Sequence, residues 1–145
     1  MAQRLLAVYG TLKAAYGNHR LIERAGLKPV GRAYTNDADF LMKGGGFPYV
    51  FAPINQGERI RVELYAFDDE NQIADIDRLE GHPDWYIRKP FNFIVDQPNP
   101  DTNIIENESV TAEMYVQWNK SSAGSTYGDN TVSRDIHTNI AEWNR

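Results

Sequence analysis

At 145 residues, 41% of them hydrophobic, the chain has the size of one ordinary domain with one core. A formal net charge of −5, with basic residues paired locally only at Arg59/Arg61 and Arg88/Lys89, argues against nucleic acid or an anionic membrane as partner; these residues read as solvated faces. The absence of cysteine removes disulfides, thiolate metal sites and cysteine nucleophiles, and without a ~20-residue apolar span or a signal-peptide pattern the expectation is a cytoplasmic protein.

In chain order, Leu5-Leu6-Ala7-Val8 runs without alternation into Tyr9-Gly10-Thr11-Leu12-Lys13, as a strand buried on both faces would. A strand ending in a glycine turn presents free backbone N–H groups that can hold a carbonyl oxygen, an oxyanion or a carboxylate. Neither the phosphate loop nor the dinucleotide fingerprint fits here. Taken alone, the stretch also reads as a plain strand-exit turn, with Gly10 supplying φ and Tyr9 a core aromatic. Asn18 to Gly26 predicts a short helix with Asn18 as N-cap and Gly26 as stop. Residues 30–42 are extended in pattern. Gly44-Gly45-Gly46 breaks the chain as a hairpin turn or a loop beside a pocket, and 47–51 form a short aromatic strand. Arg59 to Phe67 alternates, with Ile60, Val62, Leu64 and Ala66 on one face. Asp68-Asp69 caps a helix whose Ile73, Ile76 and Leu79 share a face, stopped by Gly81 and Pro83. Strands follow at 86–95 and 110–118, joined by a turn-rich 97–101. The chain thus divides into a domain over 1–118 and a polar extension over 119–145, in which Ile136, Ile140 and Trp143 fit one side of a docked terminal helix. The class is α+β, with a largely antiparallel or mixed sheet open to closure as a barrel.

Glu80 is the odd residue of its helix. It lies at the C-terminal end, where the macrodipole disfavours a carboxylate by roughly 0.3–1 kcal/mol. Beside Leu79, Trp85 and Tyr86 its carboxyl should have a raised pKa, as a general acid/base near neutrality requires. A solvated glutamate continuing the acidic face of Asp75 and Asp77 is the competing reading, and the helix argument leaves both open. His19, His82 and His137 lack metal-ligand spacing; His82 could tune Glu80. Thr11, Ser121, Ser122 and Ser125 have no visible activating base, so a nucleophilic mechanism is weakly supported.

The ordered set Tyr9-Gly10-Thr11-Leu12-Lys13, Asn18-His19, Phe47-Pro48 and Ile76-Asp77-Arg78-Leu79-Glu80-Gly81 with Pro83, Tyr86 and Arg88 resembles the gamma-glutamylcyclotransferase-like superfamily. It is most similar to the gamma-glutamylamine cyclotransferase and AIG2-like branch, over roughly residues 4–118. The resemblance implies a small closed mixed β-barrel with flanking short helices. It implies that the backbone of Tyr9, Gly10, Thr11 and Leu12 binds a glutamyl moiety, that Glu80 is the general acid/base, and that Tyr86 stands near the pocket. The implied partner is a small-molecule γ-glutamyl substrate, converted without metal or cofactor to 5-oxoproline and a free amine. Two alternatives stand beside it: a non-catalytic small-molecule binding module, and an enzyme removing a γ-glutamyl protecting group within one pathway. The resemblance names neither the leaving amine nor an oligomeric state.

Overall fold

The computed structural model describes residues 4–44, 48–119 and 132–143. Five strands close on themselves: β1 (Arg4–Val8), β2 (Lys28–Thr35), β5 (Arg59–Phe67), β6 (Ile87–Pro98) and β7 (Glu108–Trp118). Around the barrel β1 pairs with β5, β5 with β2, β2 with β6 and β6 with β7, all antiparallel. The circuit is completed by a parallel contact of β7 with β1, Leu6 opposite Glu113 and Ala7 opposite Met114. The expected closed mixed barrel is therefore the observed fold. Two short strands, β3 (Leu41–Lys43) and β4 (Tyr49–Ala52), extend the sheet beyond the end of β7.

Strand β1 shows why its sequence lacks alternation. Ala7 belongs to the barrel interior, with Val62, Leu64, Phe93, Ala112 and Met114. Leu6 and Val8 face outward into a second apolar cluster under the helices α1 (His19–Ala25) and α2 (Ala74–Glu80), with Ile22, Ile73, Ile76 and Tyr115. Both faces are buried from Leu6 to Val8, so the strand is apolar after Arg4.

Asp69 caps the second helical segment as expected, its side chain accepting from the Gln72 N–H at 3.2 Å, but the first turn (Glu70–Ile73) is a 3₁₀ turn. Ile73 and Ile76 are fully buried, whereas Leu79 is 45% exposed, so the expected apolar face ends one turn early. No helix among the described residues is long and apolar enough to cross a membrane.

The C-terminal segment differs from expectation. Residues 132–143 form a hairpin, β8 (Val132–Asp135) and β9 (Ile140–Trp143), instead of a helix. Strand β9 lies parallel to the start of β5, Arg59 opposite Ile140 and Ile60 opposite Ala141. Trp143 and Ala141 are fully buried in the main core, while Ile136, in the hairpin turn, is 88% exposed.

Candidate active site

The turn leaving β1 forms one wall of a cavity of about 310 Å³, at the small end of ligand pockets. Three of its carbonyls are engaged. Gly10 O accepts from the Lys13 N–H at 3.0 Å, Thr11 O from the Asn18 N–H at 3.1 Å, and Leu12 O from His19 Nδ1 at 2.8 Å. Asn18 was expected to cap α1, but its side chain makes no cap bond; its Nδ2 donates to Thr11 Oγ1 at 2.8 Å and fastens the helix start to the turn. The N–H groups of Gly10, Thr11 and Leu12, by contrast, have no acceptor among the described residues. Three consecutive donors without an acceptor among the described residues, on a cavity wall, have the chemistry to hold an anion or a polarised carbonyl.

Gly10 is glycine for a reason the turn itself does not contain. Its φ is not positive; a Cβ there would stand 2.9 Å from Cγ of Pro48, on the neighbouring wall. Lys13 turns away from the cavity: it is 5% exposed, and its Nζ donates to the Trp143 carbonyl at 2.8 Å.

The facing wall is the end of α2. Gly81 adopts the left-handed conformation (φ 67°) and stops the helix, with the His82 N–H donating to Asp77 O at 3.0 Å. Glu80, the last helical residue, lines the cavity, and its carboxyl has no hydrogen bond or ion pair among the described residues. Burial pushes that carboxyl up to about 7. The hazard foreseen at a helix C-terminus is thus compounded by desolvation, and no cation among the described residues pairs with the carboxyl.

Tyrosines fill the remaining sides. Tyr86 is 5% exposed and donates from its hydroxyl to Pro48 O at 3.3 Å; the Tyr9 hydroxyl donates to Tyr115 O at 2.8 Å. Burial foremost raises the pKa of Tyr9, Tyr86 and Tyr115, so all three stay neutral donors at physiological pH. Tyr9, Gly10, Thr11, Leu12, Glu80 and Tyr86 all line this one cavity. Tyr115, Pro48 and Asn18 line it too and were not singled out as site residues. For Tyr115 a signal existed: the inward alternation of Met114 and Val116 puts it on the outer face of β7, yet an aromatic there has to be covered.

The histidines take other work. His82 Nδ1 accepts from the Arg88 backbone N–H at 3.1 Å, which ties it to the start of β6 and not to Glu80. His137 lies in the β8–β9 turn. No group of three or more metal-ligating side chains exists among the described residues. Gly45, Gly46, Phe47, Ser121, Ser122 and Ser125 lie outside the described residues.

A family model described as gamma-glutamyl cyclotransferase, AIG2-like, matches residues 6–137. A provisionally named gamma-glutamylcyclotransferase of Drosophila melanogaster is 30% identical over 121 residues, covering 80% of this chain and 70% of that protein. A second, from Methanocaldococcus jannaschii, is 35% identical over 92 residues, covering 61% of this chain and 71% of its own. Among solved structures, an AIG2-like protein from Mus musculus has a TM-score of 0.70 at 21% identity, covering 100% of this chain and 97% of that one, a likeness of fold.

Proposed function

The chain belongs to the gamma-glutamyl cyclotransferase, AIG2-like family, and on that premise we propose that it converts a γ-glutamyl amine to 5-oxoproline and the free amine. The observation that carries the reading is a Glu80 carboxyl raised to about 7 and without a partner among the described residues, on the same 310 Å³ cavity as three backbone N–H groups that likewise have no acceptor among them.

The substrate brings its own nucleophile. Its α-ammonium group loses a proton to the Glu80 carboxylate, and the freed amine attacks the γ-carbonyl carbon, forming the C–N bond of a five-membered ring. The carbonyl π electrons move to oxygen. The N–H groups of Gly10, Thr11 and Leu12 are the donors available to that oxyanion and to the substrate's own carboxylate. When the tetrahedral centre collapses, Glu80 passes its proton to the departing nitrogen as that bond breaks; the second proton of the ring nitrogen leaves by the same carboxylate and also ends on the amine, so the products are the lactam and the protonated amine. Holding the glutamyl chain folded supplies much of the acceleration, since well-oriented intramolecular attack reaches effective molarities of about 10⁵–10⁸ M. Mere binding gives no reason to keep an uncompensated carboxyl in a closed wall, which weighs against the binding-module alternative.

The test is a panel of γ-glutamyl amines with alkyl, aryl and amino-acid leaving groups, with 5-oxoproline and amine both quantified. The expected result is release of the two in equal amounts. Glutamate as the product would replace ring closure by hydrolysis, and 5-oxoproline binding with no turnover on any member would leave a binding module.

A further inference from the structure

Asp77 and Arg88 belong to the sequence pattern around Glu80 but have no part in the ring closure described above. Their surroundings are unusual for residues first read as a helix's acidic face and a solvated basic pair. The Arg88 side chain is 6% exposed. It grips Asp77 through both carboxylate oxygens, Nε to Oδ1 at 2.9 Å and a terminal nitrogen to Oδ2 at 3.1 Å. The same guanidinium reaches Glu70 at 2.5 Å and bonds Glu113, and Arg4 pairs with Glu70 and Glu113 from the other side. Two guanidiniums thus serve three carboxylates, and Arg88 bonds both oxygens of Asp77 as well as both of Glu70.

Asp77 is also the member of this network that holds a cavity-lining side chain. Its Oδ1 accepts from the Tyr115 hydroxyl at 2.5 Å. Tyr115 lines the cavity, and its backbone carbonyl holds the Tyr9 hydroxyl at 2.8 Å. The carbonyl of Asp77 closes the helix by accepting from the His82 N–H. One residue therefore joins β6, β7 and the end of α2, one turn before Glu80. A seven-residue helix has little rigidity of its own, so what fixes its last residue has to come from such contacts.

We infer that Asp77, clamped by Arg88 and Tyr115, is a positioning residue that sets the Glu80 carboxyl against the amide turn. The inference rests on the cyclotransferase reading of the site. Asp77 touches no substrate; it acts through the helix end. Its loss lowers the rate of ring closure while leaving the β1 turn, and hence product binding, intact. The ionisable groups that feel the Glu80 carboxyl are Tyr9, Tyr86 and Tyr115, held neutral by burial; His82 and Asp84 follow it in the chain, and Asp77, paired with Arg88, precedes it on the same helix.

Asp77→Asn removes the charge at nearly constant shape, and Tyr115→Phe removes one hydrogen bond and no charge, so the second variant reports even if the first does not fold. Each is assayed for kcat, for 5-oxoproline affinity by calorimetry, and for titration of the Glu80 carboxyl by ¹³C NMR. The expected result is a fall in kcat of about 10–100-fold, the scale of a small misplacement of a reacting group. Product Kd should stay within about threefold, and the Glu80 titration should move to lower pH as its site hydrates. Unchanged kcat in a folded variant overturns the inference, and so does a loss of product affinity as large as the loss of rate. If the unmodified protein releases no 5-oxoproline from any γ-glutamyl amine, the functional reading fails by itself. The positioning claim is then decided by the titration alone, which supports it by moving and overturns it by staying.

Discussion

Glu80 is where residue-level physics and chemistry meet. A carboxyl raised from 4.5 to about 7 is part base and part acid at neutrality, which suits a group that must take one proton and return it. The log of kcat/KM should rise with pH on an acid limb whose apparent pKa lies near 7; a limb near 4.5 would mean that Glu80 is solvated or uninvolved. The same shift has a consequence for stability. Between pH 4.5 and 7 the folded state holds a proton that the unfolded state has released, so stability falls as pH rises through that window. Glu80→Gln is neutral at every pH and escapes this cost. Denaturant titration should find the variant more stable than the parent at pH 8, by about 1–3 kcal/mol, with the difference shrinking toward pH 5. The oddity of Glu80 was legible because helix electrostatics is local. The fate of Arg88 was not: a basic pair next to Lys89 reads as solvated unless one knows that Glu70, Asp77 and Glu113 converge on it from three elements. Gly10 was legible as a turn residue but not in its reason, since Pro48 is distant in sequence.

Among the elements, the C-terminal hairpin is the clearest departure from what the pattern implied. Ile136, Ile140 and Trp143 are spaced as one face of a helix, and periodicity cannot register that a sheet edge at Arg59–Ile60 awaits a partner. The chain used that edge: Ala141 and Trp143 alternate inward from β9, and Ile136 is left in the turn. Strand β9 is also bound to the site, because the Trp143 carbonyl holds buried Lys13 directly behind the amide turn. Trp143→Ala should therefore cost about 3–5 kcal/mol, as loss of a large buried aromatic does, measured as a shift of the urea midpoint at constant m. A change below about 1 kcal/mol would mean that the hairpin is not docked. The helices were read closely by comparison, since Gly26 and Gly81 both take the left-handed stop that their positions predicted. Leu79 alone broke the expected apolar stripe, having moved to the cavity rim where Glu80 lies.

Seen as a whole, the molecule carries its candidate site at the end of a strand buried on both faces. β1 is buried on both faces and is the strand whose parallel contact with β7 closes the barrel, so the amide turn that follows it projects from a fixed base. The opposing carboxyl comes from a short helix held down by an ionic network on the outside of the same barrel. The class of fold could be read from the strand pattern and the family resemblance. The closing parallel pair could not, because nothing local in β1 or β7 specifies which distant strand each will meet. The central claim is that this fixed turn and this held carboxyl perform one ring closure. It is tested most directly by the single-turnover rate of 5-oxoproline formation, parent against Glu80→Gln, on a γ-glutamyl amine that the parent converts. The account predicts a rate lower by about 10²–10⁴ with 5-oxoproline still bound at near-parent affinity; an undiminished rate in Glu80→Gln would contradict it.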